Sequence, residues 1–108
     1  MFQAIDGPQY RQGDVLLRPI KMTKNARKMT EKVERHVLAE GEKTGHVHVM
    51  ENVRVAELFG TNVVVADVPT DLVHDEHKTI TVEPGAYQVV QQREYDPEEE
   101  QISRARFD

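Results

Sequence analysis

Short runs in which apolar and polar residues alternate cover most of the chain, and glycine or proline separates many of them. A period of two residues is typical of half-buried β-strands. The runs lie at 15–20, 36–40, 45–50, 54–59, 62–68, 72–74, 79–82 and 86–95. The run at 62–68 has no polar residue on either face between Val63 and Ala66, which predicts a central, fully buried strand. The pattern predicts an all-β fold, a small antiparallel barrel or sandwich.

Two stretches qualify this pattern. Four apolar residues stand at helical spacing, and they predict one short helix near 22–33 (Met22, Ala26, Met29 and Val33); the alternative is a loop between strands. Pro84-Gly85 fits the centre of a type II turn, which would fold the strand at 79–82 back onto 86–95.

The predicted domain covers residues 13–95. Residues 1–12 contain Gly7-Pro8 and little periodicity, so they are expected to form a loosely held lead-in. Residues 96–108 are acidic at their start, and Asp96-Pro97 resembles the beginning of a helix, so a short C-terminal helix or a frayed tail is expected.

Composition narrows the classes of function. The chain has 108 residues, a net charge of −5 and no cysteine. One domain is expected at this length. The negative charge argues against general nucleic-acid binding, and the absence of a long apolar run argues against a membrane span. A cytoplasmic protein is expected, and any bound metal would have to use imidazole, carboxylate or water ligands.

Four of the five histidines form two short groups. His46 and His48 share one face of a predicted strand. His74 and His77 flank Asp75-Glu76, where a turn would bring the two rings together. The spacing predicts a divalent metal site (zinc, iron, nickel or manganese) with His46, His48, His74 and His77 as ligands. The structural alternative is that these are ordinary exposed histidines, or buried ones bonded to backbone carbonyls.

The histidine strand resembles the first motif of the cupins, small jelly-roll barrels that hold a metal inside. The matching residues, in order, are Gly41, His46, His48, Glu51 and Gly60. The resemblance implies a cupin-like jelly roll. Pro84-Gly85 matches the second motif, but no histidine follows it, so a further ligand would have to come from His74 or His77.

Over most of its length the chain resembles a group of short uncharacterised bacterial and phage proteins. The residues that carry this resemblance are Gln12-Gly13-Asp14-Val15-Leu16, Gly41-Glu42, Thr44-Gly45-His46, His48, His74, Glu76-His77, Pro84-Gly85, Tyr87 and Gln92-Arg93-Glu94-Tyr95. The resemblance implies a compact domain and no particular activity.

The favoured function is therefore a histidine-lined pocket that binds a divalent metal. If the metal is catalytic, Glu51, Glu76 or Tyr87 would assist it, and the partner would be a small molecule. The alternative is a non-enzymatic, phage-type binding module that modulates a host protein or signal through a homo-oligomeric surface. A metal-free hydrolase with histidine acid/base chemistry is the third hypothesis. A homo-oligomer is expected because Val47 and Val49 would face outward.

Overall fold

The computed structural model describes residues 3–40 and 46–92, and strands dominate this part of the chain, so the all-β class is confirmed. Nine strands and one short helix lie within these residues. Their bounds are β1 Gln3–Ala4, β2 Tyr10–Gln12, β3 Val15–Lys21, α1 Lys24–Lys28, β4 Glu31–Glu40, β5 Val47–Leu58, β6 Thr61–Ala66, β7 Thr70–His74, β8 His77–Val82 and β9 Gly85–Gln91.

All strand pairings that the structure describes are antiparallel, and they form one strongly curled sheet. The main path runs β3-β9-β6-β5-β7-β8. β1 and β2 pair with β3 on the edge opposite β9, and β4 pairs with β5. The curl brings β2 into contact with β8, so the sheet closes into a half-barrel.

The concave side of the sheet holds the main hydrophobic core. Its buried members are Val15, Leu17, Leu38, Met50, Val53, Val64, Leu72, Val82 and Tyr87. The predicted central strand is confirmed, since β6 lies between β5 and β9 and Val63, Val64 and Val65 are at most 1% exposed. Val63 and Val65 pack in a second, smaller cluster with Ile20 and Ala86. β6 is therefore covered on both faces, as its unbroken apolar run requires.

The helix is shorter than the predicted range of 22–33. α1 has five residues, and the Thr23 hydroxyl caps it by accepting a hydrogen bond from the Ala26 N–H at 3.1 Å. Strand β4 begins at Glu31 and pairs with β5 up to Glu40. The helical stripe is too thin to bury a face, since Met29 is 65% exposed, and pairing with β5 overrides it.

The predicted hairpin at Pro84-Gly85 is wrong. β9 does not pair with β8 but inserts between β3 and β6, where Tyr87 stands opposite both Pro19 and Val64. Local turn chemistry cannot reveal this, because the partners of β9 come from distant parts of the sequence. The runs at 45–50 and 54–59 also belong to one strand, β5, in which Asn52 takes a positive φ of 55°.

The N-terminal residues contribute more than the predicted lead-in suggests. β1 and β2 both pair with β3, and Gln12 at the end of β2 is buried. The Gly41–Gly45 segment and the predicted C-terminal tail at 96–108 lie outside the described residues. In the part of the chain that is described, no helix has the length and apolar character to span a membrane.

Candidate histidine site

Three neighbouring strands bring the histidines together on the concave side of the sheet. The pairing of Val49 with Val73 sets His48 of β5 beside His74 of β7. His74 pairs with His77 of β8 across the two-residue turn at 75–76. The ring centroids of His48 and His74 are 4.4 Å apart, and those of His74 and His77 are 4.6 Å apart. One member of the first group and both members of the second, 25 residues or more away in the sequence, thus form one row of imidazoles: His48, His74 and His77.

Gln12 fixes the orientation of the His48 ring. Its Nε2 donates to the carbonyl oxygens of Leu72 at 3.0 Å and Lys78 at 2.9 Å, so its Oε1 must face the other way. That oxygen lies 2.8 Å from His48 Nδ1. Because an amide oxygen can only accept, Nδ1 of His48 carries the proton and donates it to Gln12. The remaining ring nitrogen, Nε2, is the one available for chemistry.

Asp14 faces this second nitrogen. Its Oδ1 lies 3.2 Å from His48 Nε2, and its Oδ2 accepts a hydrogen bond from Gln91 Nε2 at 2.8 Å. His48 and Asp14 are 1% and 5% exposed. Burial lowers the pKa of His48, the nearby His74 ring lowers it further, and the Asp14 carboxylate opposes both. In the favoured neutral ring the Nε2 lone pair points at carboxylate oxygen, so the contact needs a proton or a metal cation between the two atoms.

Gly13 makes room for His77. Gly13 and Asp14 form the two-residue turn between β2 and β3, in which Gln12 pairs with Val15. Gly13 has a positive φ of 59°, and a Cβ on it would stand 2.7 Å from His77 Nε2. Glycine at this position therefore satisfies both the backbone of the turn and the close approach of the ring.

His46 lies at the exposed rim of the row rather than in it. Its ring centroid is 6.0 Å from that of His74, and its Nδ1 lies 2.7 Å from Asp75 Oδ2. Its Nε2 is 3.9 Å from Glu76 Oε2. The hydrogen bond to His46 lowers the pKa of the Asp75 carboxyl. The Glu76 backbone N–H donates to His74 Nδ1 at 3.0 Å, which occupies that nitrogen.

The remaining sequence-predicted site residues lie apart from this row. Glu51 shares a surface depression with Val49 and Val73, on the face of β5 opposite His48. The Tyr87 hydroxyl donates to the Glu83 carbonyl at 2.7 Å, and its ring packs edge-on against Tyr10. Burial raises the pKa of Tyr87 to about 12. Glu51 and Tyr87 therefore make their contacts away from the histidines. Of the three predicted assisting residues, Glu51, Glu76 and Tyr87, Glu76 stands closest to the histidines.

Sequence reasoning missed Gln12 and Asp14. The available signal was a run of polar and small residues, Gln12-Gly13-Asp14, directly before the apolar strand β3. That run predicts a turn, but only the closure of β2 against β8 shows that it reaches the histidines.

The described residues hold no group of three or more His, Asp or Glu side chains already arranged around a common metal position. Two observations account for this. His74 Nδ1 is occupied by the Glu76 N–H, and His46 Nδ1 is occupied by Asp75. His48 and Asp14 are left as a facing pair, with the exposed His77 ring next to them.

The fold and the site define a small antiparallel β-sheet protein with a buried histidine cluster. Residues 11–92 match a family described as a domain of unknown function, DUF8820, and the chain belongs to that family. This agrees with the resemblance to a group of uncharacterised proteins, whereas the resemblance to cupins is not confirmed. Neither the curated proteins nor the solved structures gave a match to this chain.

Proposed function

We propose that the domain binds a divalent metal ion through His48 Nε2, Asp14 Oδ1 and His77. The observation that carries the proposal is the facing of two buried lone pairs, on His48 and Asp14, at 3.2 Å. Two ligand atoms of a tetrahedral metal with bond lengths of about 2.0–2.2 Å lie roughly 3.3–3.6 Å apart, so the two atoms would have to separate by only a few tenths of an ångström. A cation between them would satisfy both groups, and neither side chain would have to move far.

His77 is the third ligand in this proposal. Its ring is 6.0 Å from that of His48 by centroid and inclined to it by 14°. Two imidazoles on one metal have centroids roughly 5–6 Å apart at Zn–N bond lengths near 2.0–2.1 Å. His77 is exposed, so its ring can turn toward the other two ligands. His74 can join as a fourth ligand only if its ring flips and releases the Glu76 N–H.

Two histidines and one carboxylate form a ligand set that leaves coordination positions open. Imidazole and carboxylate donors suit zinc, iron, manganese and nickel. A metal held this way supplies Lewis-acid chemistry or an activated water. Glu76 and the His46–Asp75 pair stand at the rim of the row, where they can accept or donate a proton to a small molecule bound there.

The contact of Gln12 with Nδ1 of His48, the ring nitrogen that does not face Asp14, supports the same proposal. Metal-binding histidines typically donate their other ring N–H to a protein oxygen, which fixes the tautomer and the ring orientation. His48 does so toward Gln12 Oε1 at 2.8 Å, and Gln12 is itself held by two backbone carbonyls.

The test is metal analysis of the untagged protein, followed by melting curves of chelator-treated protein with zinc, nickel, manganese or ferrous iron. Binding to the folded state alone raises the melting temperature. We expect a rise of several degrees with at least one metal, and its loss in Asp14→Asn and His77→Asn. His36→Ala, outside the cluster, serves as the control and should keep the rise. Absence of a shift with every metal, together with a metal-free native protein, would refute the proposal.

The His46–Asp75 pair favours a second function, acid–base catalysis without a metal. A carboxylate 2.7 Å from Nδ1 orients the ring and leaves Nε2 as a base at the protein surface. Hydrolysis of p-nitrophenyl esters and phosphodiesters in the presence of chelator tests it. Activity that persists in chelator and falls in His46→Gln, but not in His36→Gln, would support this function. Activity that vanishes in chelator would assign the chemistry to the metal.

A further inference from the structure

Strand β4 presents a long edge that no other described strand covers. It spans Glu31–Glu40 and pairs with β5 along one side only. The row of backbone N–H and C=O groups on the other side is a template for pairing with another strand.

The sequence of this edge is complementary to itself. Around Val33 the order is Glu31, Lys32, Val33, Glu34 and Arg35. If two copies pair antiparallel with the two-fold axis at Val33, Glu31 faces Arg35 of the second copy and Lys32 faces Glu34. Every charged residue in the five-residue ladder is then opposite a residue of the other sign, which stabilises an antiparallel pair.

Neighbouring registers lack this property. A shift by one residue sets Lys32 opposite Arg35 in one direction and Glu31 opposite Glu34 in the other. A shift by two residues sets Lys32 or Glu34 opposite its own copy. Like charges directly opposite each other destabilise a strand pair, so the sequence selects the register centred on Val33. Within the described residues none of the four charged side chains is in an ion pair, so they are available to a partner.

The same register joins two exposed apolar side chains. Met29, two residues before β4, is 65% exposed, and Val37 is 37% exposed. With the axis at Val33, Val37 of one copy lies at the end of the ladder where α1 of the other copy ends at Met29, so the two apolar side chains are brought to the same end of the interface, once at each end of the ladder. Association would therefore cover apolar surface that the monomer leaves in water.

We propose that the chain forms a symmetric dimer in which the β4 edges of two copies pair antiparallel about Val33. Closed two-fold pairing is the commonest oligomer of a single chain type. The interface is isologous, and it joins two half-barrels into one continuous sheet. Charges on an edge strand also protect monomers from aggregation, and the following experiments distinguish the two roles.

The chain has no cysteine, so a single introduced thiol reports the register. Residues directly opposite each other have Cα atoms about 4.5–5.5 Å apart, within reach of a disulfide. Val33→Cys should give a covalent dimer on mild oxidation. Val37→Cys is the matched control, because its two copies would stand about 26 Å apart at ~3.3 Å per residue. Equal cross-linking of the two variants would overturn the register.

Charge reversal tests the energetics on the full chain by sedimentation equilibrium. Lys32→Glu sets like charges opposite each other twice, so we expect the dimer dissociation constant to rise about tenfold or more. The double variant Lys32→Glu/Glu34→Lys restores both pairs and should return to within about threefold of the native constant. A native chain that stays monomeric at millimolar concentration would overturn the proposal, and so would a dimer that Lys32→Glu leaves unchanged.

Discussion

Replacement of Gln12 by methionine measures how much one buried amide contributes to the fold and to the site. Methionine keeps the shape of the side chain and removes its three hydrogen bonds. The Leu72 and Lys78 carbonyls and the His48 Nδ1–H then lose their partner. A buried polar group without a partner costs about 1–3 kcal/mol, so losing all three bonds should cost roughly 3–9 kcal/mol of unfolding free energy, toward the lower end because the bond to the Lys78 carbonyl is only partly buried. For a domain of this size each kcal/mol lowers the melting temperature by about 4–8 °C.

The assay is urea denaturation in the presence of chelator, so that metal binding does not contribute to the measured stability. The slope of the transition should match that of the native protein, which shows that the same surface is exposed on unfolding. Gln9→Met is the matched control. Gln9 is exposed and should change stability by no more than about 0.5 kcal/mol. A loss below about 1 kcal/mol in Gln12→Met would refute the reasoning, because it would mean that water or another group replaces all three bonds.

Three further predictions concern single groups. Val64→Asp buries an unpaired carboxylate and should abolish soluble expression; normal thermal stability of this variant would place β6 at an exposed edge. Gly13→Ala should lose about 1–3 kcal/mol of unfolding free energy and displace the His77 ring, which a two-dimensional NMR spectrum of the histidines would show as shifted resonances. Burial lowers the pKa of His36 and His48 from 6.5. Below that value the unfolded chain binds protons that the folded chain does not, so metal-free protein should lose stability as the pH falls from 7 toward 5. Denaturation midpoints that stay constant over this range would contradict this prediction.

Local patterns were sufficient to predict most of the strands, but not β1, β2 or the beginning of β4. β6 could be recognised because three consecutive β-branched residues favour a strand, and an apolar run without alternation favours one that is covered on both faces. The turn at 75–76 and the approach of His74 to His77 also followed from neighbouring residues. In each of these cases the interactions that decide the structure lie within a few positions of each other in the chain.

Long-range pairing could not be predicted in the same way. Pro84-Gly85 has the chemistry of a hairpin turn, yet Tyr87 pairs with Pro19 and Val64, which lie 68 and 23 positions away. The short helix predicted near 22–33 forms only over Lys24–Lys28, and a related reason ends it there, since β5 offers β4 a partner from Glu31 onward. Secondary-structure propensity is a weak preference that tertiary pairing overrides.

The candidate site contains both residues that local patterns predict and residues that only long-range pairing brings in. The imidazoles were identifiable because two short-range spacings repeat in a chain with few histidines. The groups that define their chemistry were not, because Gln12 and Asp14 reach His48 only when the sheet curls and β2 meets β8.

The contacts that form the site also hold the curled sheet closed. Three consecutive residues contact the histidine row, since Gln12 orients His48, Gly13 admits the His77 ring and Asp14 faces His48 Nε2. Gln12 is at the same time bonded to the carbonyls of Leu72 and Lys78, and so it holds β2 against β7 and β8. Opening the half-barrel along this seam would remove Asp14 from His48 in the same step. Any cation that binds both groups must therefore stabilise the closed sheet, and any change that loosens the seam must weaken the site.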